Sequence, residues 1–129
     1  MQTKAKGISS HAEGYSTTAN HTVAHAEGYE TQALGEISHA EGHSTIASGK
    51  GSHSEGGGSE AQGLYSHAEG RFSIAAGNIA HAEGNETHAL SRGTHAEGEY
   101  TQAGCRGYFY NAVYFDADNQ QITFALCDA

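Results

Sequence analysis

Proline is absent from this 129-residue chain, and lysine and arginine together number only six. A glycine-rich chain without proline is neither collagen nor a proline-rich linker. Six basic residues against fifteen acidic ones, a formal charge of −9, leave no basic footprint for nucleic acid. The same balance argues against an anionic membrane surface. No apolar stretch follows Met1, so no signal peptide is expected, and no apolar run is long enough to insert in a membrane. Large aliphatic side chains are scarce before residue 105, and much of the 36% apolar fraction is alanine. A globule of ordinary thickness would lack the bulk to fill its centre. Water must be excluded by a very thin interior or by burial against other copies.

A repeat takes the place of bulk. HAEG, or HSEG once, begins at His11, His25, His39, His53, His67, His81 and His95, always 14 residues apart. A looser unit lies between successive copies, so the frame is a seven-residue half-repeat: small hydroxyl, x, Ala, x, Gly, x, x. Fifteen half-repeats start at every seventh residue from 3 to 101. Their first position is Ser, Thr or Ala throughout, and their third is Ala in fourteen, with Ser54 the exception. Their fifth is Gly in twelve, replaced by His21, Ser91 and Cys105. Positions one, three and five alternate, which is the period of a strand. A five-residue strand and a two-residue turn fit each unit, with the fifth-position glycine supplying the corner. Two units close one coil, and seven coils at ~4.8 Å each make a rod of roughly 35 Å. The expected fold is all-β: a parallel β-roll solenoid over residues 3–105.

The alternation sends positions one and three inward, where only small side chains fit, and positions two and four outward. Buried hydroxyls should bond to backbone or to one another. One outward face carries the same pair at every coil: His11/Glu13, His25/Glu27, His39/Glu41, His53/Glu55, His67/Glu69, His81/Glu83 and His95/Glu97. The other drifts, from Thr18/Asn20 through Ile46/Ser48 to Gln102/Gly104. The fixed face reads as a contact that every coil makes, and the drifting face as solvated or ligand-facing. Stacked carboxylates repel by about 1 kcal/mol per neighbour in water at ~5 Å, and interleaved imidazoles offset this by hydrogen bonding or by charging. Val23, Ile37, Tyr65 and Ile79 add apolar support beside the fixed face, with Ser9, Gly51 and Gly93 in the same slot.

The S-x-A-x-G-x-x frame in 14-residue pairs resembles the head repeats of YadA-like trimeric adhesins. The SHAEG wording is similar to repeats in tail and surface proteins of Gram-positive bacteria and their phages. The resemblance covers roughly residues 3–105 and implies a left-handed roll, a homotrimer and an adhesive or fibre role. It also implies a trimer interface on the seven His/Glu pairs. Adhesin heads carry aliphatic residues at those outward positions, so His and Glu here imply a polar trimer core. The implied setting is a virion, an extracellular space or a cell surface, as in a phage tail fibre or adhesin, with a host-surface carbohydrate or protein as the further partner.

No enzyme is expected. Ser10 and His11, being strand neighbours, point to opposite faces and cannot form a nucleophile–base pair. A zinc deaminase needs P-C-x-x-C beside its H-x-E, and this chain has none. His-x-Glu at each coil offers metal donors, but a seven-fold ladder is not a dedicated site, so no metal or other cofactor is expected. Tyr15, Tyr29, Phe72 and Tyr100 are expected in turns with Tyr65 beside them, shielding neighbouring coils or stacking on sugars. Residues 106–129 read as a β-hairpin, GYFYNAVYF and QITFALC around DADNQ, that caps the roll. The alternative is a subunit of a self-assembling extracellular filament, joined end to end through these strands. Cys105 and Cys127 bracket the hairpin and are open to one disulfide, an intersubunit cross-link or two buried thiols.

Overall fold

The computed structural model describes residues 2–104 in full and, of the remainder, the backbone of 113–116 and 121–124. The chain winds as a parallel β-solenoid of about seven coils, and the described residues include no helix. One sheet stacks eight two-residue strands: β1 (Lys4–Ala5), β3 (Thr18–Ala19), β5 (Gln32–Ala33), β7 (Ile46–Ala47), β9 (Glu60–Ala61), β11 (Ile74–Ala75), β13 (His88–Ala89) and β15 (Gln102–Ala103). The facing sheet stacks seven strands: β2 (His11–Tyr15), β4 (His25–Tyr29), β6 (His39–His43), β8 (His53–Ser54), β10 (His67–Arg71), β12 (His81–Asn85) and β14 (His95–Glu99). Each residue pairs with its equivalent 14 positions on, His67 with His81 and Glu69 with Glu83. A further pair, β16 (Val113–Asp116) and β17 (Gln121–Phe124), is antiparallel. The rest of the expected hairpin, with Cys105 and Cys127, lies outside the described residues.

The interior is as thin as the sequence demands. Its buried side chains are those of positions one and three, with Ser91 of position five: alanines such as Ala26, Ala40, Ala68 and Ala82, and hydroxyls such as Thr31, Ser38, Thr45 and Ser66. The hydroxyls clip the corners to the backbone. Ser38, Ser52 and Ser66 donate to the carbonyl three residues back, at 2.7–2.8 Å. Thr31 and Thr45 donate to the carbonyl four residues back, at 3.1 and 2.9 Å. These Ser and Thr hydroxyls are thus satisfied within the thin interior, while Thr17 Oγ1 is buried without a partner.

The two half-repeats are not alike, which corrects the expectation of one five-residue strand per unit. Only the HAEG half makes a five-residue strand, and β8 shortens to two residues before a lone bridge residue, Gly57, continues the ladder. The glycines differ too. In the HAEG half, Gly70 has φ near +95°, and a Cβ there would lie 2.1 Å from Gly84 O. In the other half, Gly63 has no left-handed φ, but a Cβ would lie 2.0 Å from Gly77 O. Fifth-position glycine thus serves close stacking of coils, and it does not form the corner. The corner is the seventh residue, held near φ +55° whatever its type, at Val23, Ile37, Tyr65, Phe72 and Ile79 among others.

Candidate functional site

The fixed face is built by β2 through β14. Strand alternation turns His and Glu outward, and exact 14-residue register puts like on like. From His25 to His95 the imidazoles form one continuous parallel stack, with centroids 4.6–4.8 Å apart and planes within 2–9°. Only the end ring departs, His11 meeting His25 edge-on at 4.9 Å. All fourteen residues expected at the interface therefore share one face, half-buried along its middle.

The carboxylates are shared between coils in two registers. His11 and His25 lie 3.3 and 3.4 Å from the Glu of their own coil, Glu13 and Glu27. From the fourth coil on, each imidazole reaches the Glu of the coil before: His53 to Glu41 at 3.1 Å, His67 to Glu55 at 3.4 Å and His81 to Glu69 at 3.1 Å. His39 falls where the registers change. His25 only approaches Glu27 and Glu41 is taken by His53, so the Nε2 atoms of His25 and His39 are both buried with no hydrogen-bond partner. Burial and the neighbouring His53 hold its imidazole below the ordinary value. Glu27 and Glu41 meet across the same junction. A hydrogen bond with Glu41, then burial, raises the Glu27 carboxyl. Burial pushes Glu41 upward as well, but hydrogen bonds with His53 and Glu27 outweigh it and leave Glu41 lowered.

The sign of the His39 effect follows from linkage. A histidine whose folded value lies below the unfolded 6.5 is fully stabilising above that pH. Its contribution is lost as pH falls from 6.5 to the lower folded value. Glu27, raised, works the opposite way between its folded value and 4.5, so total stability alone does not isolate His39. The expected result is that His39→Gln melts with a flatter pH dependence than the parent between pH 7.5 and 5.5. Thermal circular dichroism checks this, and parallel slopes would count against the unpartnered imidazole.

Metal donors are also close. In triplets such as His39–Glu41–His53 and His67–Glu69–His81 the ligand atoms lie within 4.8 Å of one another. Imidazole with carboxylate suits zinc, nickel or copper. One ion at ~2.1 Å from two successive ring nitrogens would require the stacked rings to tilt out of parallel.

Beyond the Glu column runs a shallow groove floored by the HAEG glycines, its ends lined by Glu13, Glu27 and Glu41 and by Glu69, Glu83 and Glu97. On its far side stands the column of strand-end residues. Tyr15, Tyr29 and His43 are stacked there at 4.8 and 5.1 Å. The two tyrosines are thus strand residues, contrary to the expected turn placement. Gly57 then breaks the column, and a Cβ on it would meet nothing within 4 Å. Arg71 follows, its guanidinium 4.8 Å from the Phe72 ring. Tyr65 and Phe72 lie over Gly51 and Gly58 of the preceding coil, so these rings do shield neighbouring coils. The repeat spacing does not place the gap at Gly57; the run of three glycines from Gly56 to Gly58 is its signal in the sequence.

No helix among the described residues is long and apolar enough to cross a membrane. No family model matches the chain, and no curated protein matches it.

Proposed function

We propose that this chain is a non-enzymatic structural module, a left-handed β-roll that assembles as a homotrimer with its His–Glu face toward the threefold axis. Its role is adhesive or fibre-forming, on a virion such as a phage tail or on a bacterial surface. The observation that carries the reading is the contrast between the faces. At positions two and four of one sheet every coil repeats the same two residues, half-buried along the middle of the face even in a single chain, while positions two and four of the other sheet vary. Solvent imposes no such sameness, whereas a contact made at each coil does. Neutral imidazoles hydrogen-bond these carboxylates without cancelling their charge, so the face carries seven negative charges.

Light scattering at neutral pH should return three times the chain mass of 13.5 kDa. A monomer would sink the proposal. Protonating the histidines cancels the carboxylates one for one, so dissociation on dilution should be weaker at pH 6 than at pH 8. An assembly constant unchanged over that range would argue for a solvated face.

A second reading has its own observation. The last coil, β14 with β15, and the first, β1 with β2, each end their sheets. Such edges need covering. In the trimeric reading residues 106–129 cap one of them, and in the alternative those strands join subunits into a filament. Electron micrographs showing only discrete particles would dispose of the filament.

A further inference from the structure

We propose that the protomers close head to tail, with the corner column of one chain seated in the glycine-floored groove of the next. This rests on the trimeric reading and specifies its interface. Each chain presents two unlike margins on either side of its His and Glu columns. One is the corner column, where Val23, Ile37, Tyr65 and Ile79 are 51–62% exposed. The other is the groove, bounded by the strand-end column of Tyr29, His43, Gly57 and Arg71. Threefold closure requires a contact of this heterologous kind, in which different patches of identical chains meet. Joining these margins turns the His and Glu columns between them toward the axis.

The margins match in period and in relief. Both repeat with the coil, so a second copy of this chain meets the spacing along its whole length. The corner column has no side chain at Gly51 and its largest at Tyr65. The strand-end column has a ring at His43 and no side chain at Gly57. Tyr65 follows Gly57 by eight positions, just over half a coil, and so does Gly51 follow His43. In a threefold ring without axial shift, equivalent coils lie level. The Tyr65 ring leans one coil back over Gly51, toward the level of the neighbour's Gly57, where the space is open. The broadest knob therefore meets the missing rung.

Backbone strain gives independent support. Val23, Ile37 and Ile79 are β-branched yet held at φ +57° to +60°, with more than half of each side chain exposed. Inside one chain this placement gains little burial for its strain. Packing in a neighbour's groove supplies the missing gain.

The test uses the full chain with Cys105→Ser and Cys127→Ser as background. Gly57→Cys and Tyr65→Cys are introduced singly and together, and the proteins are oxidised mildly and run on a non-reducing gel. Gly57 accepts a side chain because its φ is not left-handed and its Cβ meets open space. The expected result is a covalent trimer from the double variant and none from either single. Covalent dimers from a single variant would show like margins meeting and would overturn the proposal. In parallel, Gly57→Tyr should weaken assembly at least about tenfold with circular dichroism unchanged. A trimer by light scattering that neither cross-links nor responds to Gly57→Tyr would remove this interface and leave the trimeric reading standing. A monomer of the parent chain would take down both.

Discussion

Gly56→Ala should cripple the roll, while Gly57→Ala beside it should be silent or slightly stabilising. Gly56 has φ +97°, and a Cβ there would lie 2.1 Å from Gly70 O on the next coil. Backbone strain of this kind costs about 1–3 kcal/mol. The contact adds to it, because the carbonyl it meets belongs to the ladder that holds the next coil at its spacing. The sum is at least about 3 kcal/mol, a large share of a small domain's stability. Gly57 has neither problem, since its φ is not left-handed and nothing lies within 4 Å of its Cβ. Alanine there restricts the unfolded chain and should gain about 0.4–1 kcal/mol. Urea denaturation of the two variants decides the matter, and equal effects would refute the distinct roles given to the two glycines.

Replacing Val23, Ile37 and Ile79 together with asparagine should stabilise the protomer and weaken its assembly. Each sits in left-handed backbone that costs a residue other than glycine roughly 1–2 kcal/mol, and asparagine tolerates it. Their side chains are more than half exposed, so little packing within the chain is lost. A gain of roughly 3 kcal/mol for the triple variant follows if the sites act independently. The same change strips the corner column of its apolar knobs, so trimer dissociation should move to higher concentration. Melting must be followed across a dilution series, because assembly raises the apparent midpoint by mass action. A protomer that melts earlier than the parent would refute the strain account.

These residues also show how far the sequence could be read. The period, the inward Ala and hydroxyl positions and the shared face of His and Glu were legible, because strand alternation converts spacing directly into direction. The differing strand lengths were not, since both halves use the same seven-residue frame. Nor was the corner. Left-handed backbone is usually announced by glycine or asparagine, yet here it falls on Val23, Ile37, Glu30 and Phe72. The ladder fixes the residues on either side, and that tertiary constraint overrides local preference. His25 and His39 illustrate a further limit: their nitrogens go unpartnered where the pairing register changes among identical repeats, which no single repeat encodes.

The rings of Tyr65 and Phe72, resting on Gly51 and Gly58, have a consequence for how the chain finds its fold. Most coils are nearly interchangeable, so a chain that loops one out and threads the next in its place loses little. Alanine still meets alanine and histidine still meets histidine, and the landscape is crowded with near-copies of the native state. The fourth coil breaks that degeneracy. If it were skipped, Tyr65 would land on Ile37 and Phe72 on Ser44, where side chains occupy the space the rings require. In a rod whose interior is almost uniform, two glycines and two aromatic rings act as the phase mark by which the polypeptide counts its turns.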